Sequence, residues 1–228
     1  MREAGPSYTI LERPRVSPRS GEATPPLGEM KPVSRVNGEG GGSRKWHTPS
    51  WAVLLQRFYD RMQLPLTGIE PLKGEEIPEQ YRSLLVHSSD MTPTLEGFYH
   101  RPLGLTVLSR EIENEEYLRE VVLRLADGER PVEYGAIRIC LGHLAAPARD
   151  RVLEEQRPLG RILQSEGIPH ISWPQAFFCV QADSHTSAVL RLRGTAQLYG
   201  RRNVLLDDSR RLLAEVIEIL APVALSES

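Results

Sequence analysis

Cysteine is nearly absent: Cys140 and Cys179 are the only two in 228 residues. That excludes a disulfide-stapled secreted scaffold, and both lie in apolar runs, as expected of buried reduced thiols. No stretch approaches the roughly 18 continuous apolar residues needed to span a bilayer, and the N-terminal residues hold no apolar core of a secretory signal. The net charge is only -2, which provides no global field for nucleic acid or an anionic membrane. There is no Gly-rich phosphate loop ending in Lys-Ser/Thr, no Gly-x-Gly-x-x-Gly after a strand and no Gly-x-Ser-x-Gly elbow. The six histidines, at 47, 87, 100, 143, 170 and 185, are scattered without paired metal spacing. Nucleotide, metal and serine-hydrolase chemistry are thus without sequence support. The expectation is a cytoplasmic enzyme or binding protein with no nucleic-acid partner and no membrane span.

What is present divides in two. Residues 1–45 hold Pro14, Pro18, Pro25, Pro26 and Pro32, then Gly38-Glu39-Gly40-Gly41-Gly42-Ser43, with eight Lys/Arg against five Glu. Apolar residues are too sparse there to offset the entropy of ordering the backbone, so a disordered, mildly basic tail is expected. Residues 46–228 read as one domain. Trp51, Leu54, Leu55, Phe58, Tyr59 and Met62 follow helical spacing. Residues 67–79 read as a Pro/Gly/Glu loop, and 79–88 as a short helix. Thr92-Pro93 reads as an N-cap followed by a first-turn proline, opening a helix to about Tyr99. Strand-like runs follow at 105–109, 118–125 and 132–141, with Ala126-Asp127-Gly128 as a turn between two of them. Two helices are expected over 147–155 and 158–166, then strands at 176–182, 187–199 and 212–220. Gly194 would mark a bulge in the long strand. Tyr199-Gly200-Arg201-Arg202 reads as a turn, with Arg201-Arg202 either a substrate gate or a solvated corner. Asp207-Asp208-Ser209 reads as a hairpin turn. The sum is an α+β fold: a single six-stranded antiparallel sheet with helices packed on one side.

The chemistry rests on arginine and carboxylate. Arg119 alternates with Val121 and Leu123, so if those face the core, so does the guanidinium. A core-facing guanidinium needs a carboxylate of fork geometry, either an ion pair within the protein or a bound acid. Glu215 alternates with Leu213, Ile217 and Ile219, and Glu218 with Val216 and Leu220. One of the two faces inward, and periodicity does not decide which. Pro158-Leu159-Gly160 opens a helix whose first backbone N–H groups suit an anion.

Six short motifs stand in order: Ser89-Asp90-Met91-Thr92, Tyr117-Leu118-Arg119-Glu120, Ala126-Asp127-Gly128, Pro158-Leu159-Gly160-Arg161, Tyr199-Gly200-Arg201-Arg202 and Glu218 through Pro222. Their order and spacing over about residues 84–222 resemble the chorismate pyruvate-lyase (4-hydroxybenzoate synthase) family, in particular its actinobacterial and cyanobacterial branch. The resemblance implies a six-stranded antiparallel sheet and cofactor-free, metal-free cleavage of chorismate into 4-hydroxybenzoate and pyruvate, feeding a quinone or phenolic-lipid pathway. It implies that Arg119 holds the ring carboxylate, helped by the backbone N–H of Leu159. Met91 would line the pocket, and Glu218 would meet the hydroxyl at the far end of the ring as base or orienting group. Where the ubiquinone-pathway branch has a second strand arginine, this chain has Gly135-Ala136. Arg138, two residues on, is the expected replacement for binding the enolpyruvyl carboxylate. The alternative reading is a non-catalytic module of the same fold that binds a small aromatic acid, as in effector domains of bacterial regulators. A third is a related enzyme acting on another chorismate-like acid.

Overall fold

Leu118 to Leu125 alternates so that both faces of its strand are apolar, the pattern of a strand covered on two sides. The computed structural model, which describes residues 49–66, 68–126 and 130–223, shows why. Seven strands form one antiparallel sheet: β1 Ile69–Leu72, β2 Leu103–Glu113, β3 Glu116–Leu125, β4 Pro131–Cys140, β5 Ile171–Gln181, β6 Gln197–Leu206 and β7 Leu212–Leu220. Their spatial order is β1-β5-β6-β7-β4-β3-β2. Six helices accompany them: α1 Val53–Arg61, α2 Glu79–Leu85, α3 Met91–Tyr99, α4 Ala146–Leu153, α5 Leu159–Ser165 and α6 Ser184–Val189. The fold is α+β, as expected. The residues expected to form a tail, 1–45, and most of the Ala126-Asp127-Gly128 turn lie outside the described residues.

Five expectations need correction. The sheet has seven strands, not six. The extra one, Ile69–Leu72, pairs only with β5. A four-residue segment containing Pro71 gives no alternation signal, and proline is tolerated because an edge strand leaves one row of N–H groups unpaired.

The helices lie on both faces, not one. Leu118 and Val122 pack with α1 residues Leu54, Leu55 and Phe58. The alternate residues of β3 turn the other way: Tyr117 packs with Ile162 and Leu163 of α5, and Leu123 with Leu85 of α2 and Leu95 of α3.

The expected strand 187–199 is instead helix, loop and strand. Asp183 caps α6, its carboxylate accepting the Thr186 N–H at 2.7 Å, which is standard helix-start chemistry. Gly194 sits in the loop beyond, at φ 77°, not at a bulge.

Tyr199-Gly200-Arg201-Arg202 is the middle of β6 rather than a turn. Gly200 is required there by contact, since a Cβ would stand 2.4 Å from the Glu218 carbonyl and 2.6 Å from the Phe178 ring.

The helix expected to open at Thr92 begins at Met91, with Asp90 as N-cap. Pro93 is accommodated because first-turn N–H groups have no intrahelical acceptor. Asp207-Asp208-Ser209 does close the β6–β7 hairpin, with the Asp207 N–H donating to the Arg211 carbonyl. Among the described residues no helix is long and apolar enough to cross a membrane.

Candidate functional site

The face of β3 that carries Tyr117 and Leu123 also carries Arg119. On the same face stand Glu133 and Ile137 of β4, Asn203 and Leu205 of β6, and Val216 and Glu218 of β7. With the starts of α3 (Asp90, Met91, Thr92) and α5 (Pro158, Leu159, Gly160) they line a cavity with about 530 Å³ of atom-free space. Four of the five residues singled out from sequence, Arg119, Glu218, Met91 and Leu159, therefore meet at one cavity.

Arg119 is 1 % exposed. Among the described residues it has no salt-bridge partner, and its Nε and Nη1 atoms are buried without a hydrogen-bond partner. The Tyr117 ring lies 5.8 Å from the guanidinium carbon. Burial lowers the Arg119 pKa, yet a guanidinium keeps its charge near neutrality. An unpaired buried cation costs several kcal/mol. A carboxylate entering the cavity would relieve that cost and accept from a free donor of the guanidinium.

Glu218 does not pair with Arg119. Its Oε2 accepts from Nε of Arg201, which lies opposite it in the β6–β7 register. Arg201 is fully buried, and its remaining donors reach the carbonyls of Leu85 (3.3 Å), His87 (3.0 Å) and Ser89 (3.1 Å). It thereby holds the α2–α3 connection against the sheet and sets where Asp90 and Met91 stand. Arg201 is thus neither gate nor solvated corner. Burial raises the Glu218 pKa, and Arg201 opposes the rise.

Asp90 makes no side-chain cap. Its Oδ2 accepts from Nε2 of His170 at 2.8 Å, while Nδ1 of His170 meets the Ile168 carbonyl at 3.0 Å. Both ring nitrogens face oxygen acceptors, which suits the imidazolium, and the Asp90 contact raises the His170 pKa. Gly160 gives Asp90 room: a Cβ there would lie 3.2 Å from Oδ2. The backbone N–H groups of Met91 and Leu159, each the first residue of its helix, have no intrahelical acceptor.

Arg138 is the exception. It projects from the other face of β4, where Glu215 (2.7 Å) and Glu116 (3.3 Å) hold it. It lines a different depression with Trp51 and Arg202. It does not replace the missing strand arginine, because the alternation that puts Gly135 on the cavity face puts Arg138 on the opposite one. Glu215 and Glu218 are both buried, one on each face. The choice between them dissolves once both faces are covered.

Two polar lining residues were not singled out from sequence. Glu133 is 3 % exposed and its Oε2 has no partner among the described residues. Asn203 donates to Oγ of Ser172 at 2.9 Å, and its own Oδ1 is buried without a partner. Alternation with Ile137 and Leu205 respectively was the available signal.

No protein-family model matches the chain, and no curated protein matches it. Among solved structures it is similar to PhnF from Mycobacterium smegmatis, at 11% identity and TM-score 0.45 over 77% of this chain and 99% of that one. The effector domain of the same protein matches at 12% identity and TM-score 0.45, over 70% and 99%. A GntR-family transcriptional regulator from Bacillus cereus matches at 10% identity and TM-score 0.36, over 55% and 96%. With each of these TM-scores below 0.5, the likeness carries neither a fold nor a function across to this chain.

Proposed function

We propose that the cavity binds a small cyclic carboxylic acid, and that the protein is a chorismate pyruvate-lyase releasing 4-hydroxybenzoate and pyruvate. The observation that supports the binding reading is Arg119: a buried guanidinium with two unpartnered donors on the wall of a cavity. The lyase reading adds the motif resemblance and the presence of Glu218 on the same cavity wall. In this reaction the C4 proton leaves, the C3–ether bond breaks, and the electrons complete the aromatic ring. The enolpyruvate fragment takes a proton at its methylene carbon and becomes pyruvate. The step is downhill, so the protein mainly has to hold a reactive conformer away from water. Arg119 and the Leu159 N–H would hold the ring carboxylate. Glu218, whose burial makes it a stronger base, would face the C4 hydroxyl as base or orienting group.

A second reading, binding without turnover, is favoured by the charges on the cavity wall. Arg119 is the one cation among the lining residues, against Asp90, Glu133 and Glu218. Chorismate brings two carboxylates and 4-hydroxybenzoate only one. Incubating the purified protein with chorismate and assaying 4-hydroxybenzoate and pyruvate separates the two. Turnover that is lost in Arg119→Ala supports the lyase. Binding of 4-hydroxybenzoate with no product from chorismate supports the binder.

A further inference from the structure

Glu133 reaches the cavity from β4, two residues before Gly135, whose register partner on β7 is Glu218. The two carboxyl groups are therefore diagonal neighbours on adjacent strands. Gly135 leaves room for this: a Cβ there would lie 3.2 Å from Oε1 of Glu133. One guanidinium, Arg201, stands near both acids, and it is committed to Glu218 and three backbone carbonyls. Glu133 has no cation partner among the described residues, and its Oε2 is buried and unbonded. The other charged groups on the cavity are Arg119 and Asp90.

We infer that Glu133 is a ligand-contacting residue that carries a proton and donates it in a hydrogen bond to a ligand oxygen remote from the carboxylate held by Arg119. Two adjacent buried carboxyls served by one guanidinium that is bonded to only one of them do not both ionise. The one bonded to Arg201 keeps the charge, and the other keeps the proton. Burial first, then Glu218, push the Glu133 pKa well up, with Arg201 opposing. The cavity then has a cationic end and a neutral donor end. It favours ring acids bearing a hydroxyl, ether or carbonyl oxygen across the ring from the carboxylate that Arg119 holds. This rests on the acid-binding reading above and adds the feature that decides which acid.

The test is calorimetric titration of benzoate and 4-methoxybenzoate, the second adding only an acceptor, into wild type, Glu133→Gln and Glu133→Leu. Wild type should prefer 4-methoxybenzoate. Glu133→Gln, which keeps a donor, should keep that preference, and Glu133→Leu should reduce it about tenfold. At alkaline pH the preference should fall in wild type and not in Glu133→Gln. If wild type binds both acids and Glu133→Leu keeps the preference, Glu133 is not the donor, while the acid-binding reading stands. If wild type binds neither, that reading fails and takes this one with it. Should Glu133→Leu not fold, the infrared band of a protonated carboxyl at neutral pH, present in wild type and absent in Glu133→Gln, carries the test. Its absence from wild type overturns the inference.

Discussion

Arg119 and Arg201 are the two largest fully buried cations, both at 1 % exposure or less, and their surroundings assign them opposite roles. Arg201 is bonded to Glu218 and three carbonyls, so it is structural. Arg119 has two unbonded donors, which in the function proposed above serve a bound carboxylate. The difference predicts opposite mutational signatures. Arg119→Met should keep the fold and raise its stability in urea unfolding, because an unpaired buried charge is replaced by apolar volume. The same change should weaken benzoate binding about ten- to hundredfold, the worth of a charge-assisted hydrogen-bonded pair. A marked loss of stability would mean that Arg119 holds the fold together rather than a ligand. Sequence alternation had already put Arg119 on a core face. It left open whether the partner was internal or bound, because a strand pattern carries no information about which acid the neighbouring strands bring near.

At the scale of elements, the cavity depends on two helix starts being held over one sheet face. Arg201 secures the approach to α3, and Asp90–His170 ties the first turn of α3 to the segment entering β5. Since Asp90 raises the His170 pKa above its ordinary 6.5, the folded state binds the proton more tightly than the unfolded one. The contact's contribution is therefore full below about pH 6.5 and is lost as pH rises through the raised value. His185 is raised in the same sense by Glu120, while burial lowers His87, so the His170 contribution has to be isolated by difference. Thermal unfolding of wild type and His170→Gln should differ most near about pH 6 and converge toward about pH 9. A gap that stays constant across that range would show that the contact does not depend on the imidazolium. The start of α5 was legible from Pro158-Leu159, whereas that of α3 was read two residues late, at Thr92 rather than Asp90. The helix at Ser184–Val189 was not, because six residues after a cap are too few to show a helical period against the strand-like composition that follows.

At the scale of the molecule, β7 is the fourth of seven strands and both its faces are covered. The short β1 has a neighbour on one side only. Amide hydrogen exchange should therefore be slowest at the centre of β7 and its partners β6 and β4, and fastest among the strands at Ile69–Leu72. Protection of β1 equal to that of β7 would contradict this gradient. The central position also explains how one strand serves two sites of charge. Glu215 binds Arg138 and Arg202 on one face, and Glu218 binds Arg201 on the other.

By itself the sequence determined the α+β class, most of the strands, the hairpin at Asp207–Ser209, and the order of motifs that meet at the cavity. All of these follow from local periodicity and turn chemistry. Only the tertiary structure decided that helices cover both faces, that Arg138 lies opposite the cavity, that Arg201 takes Glu218, and that Glu133 is left with a free buried oxygen. The physical reason is that each of these depends on strand order and register. Those place residues distant in sequence at hydrogen-bonding distance, and no single segment encodes them.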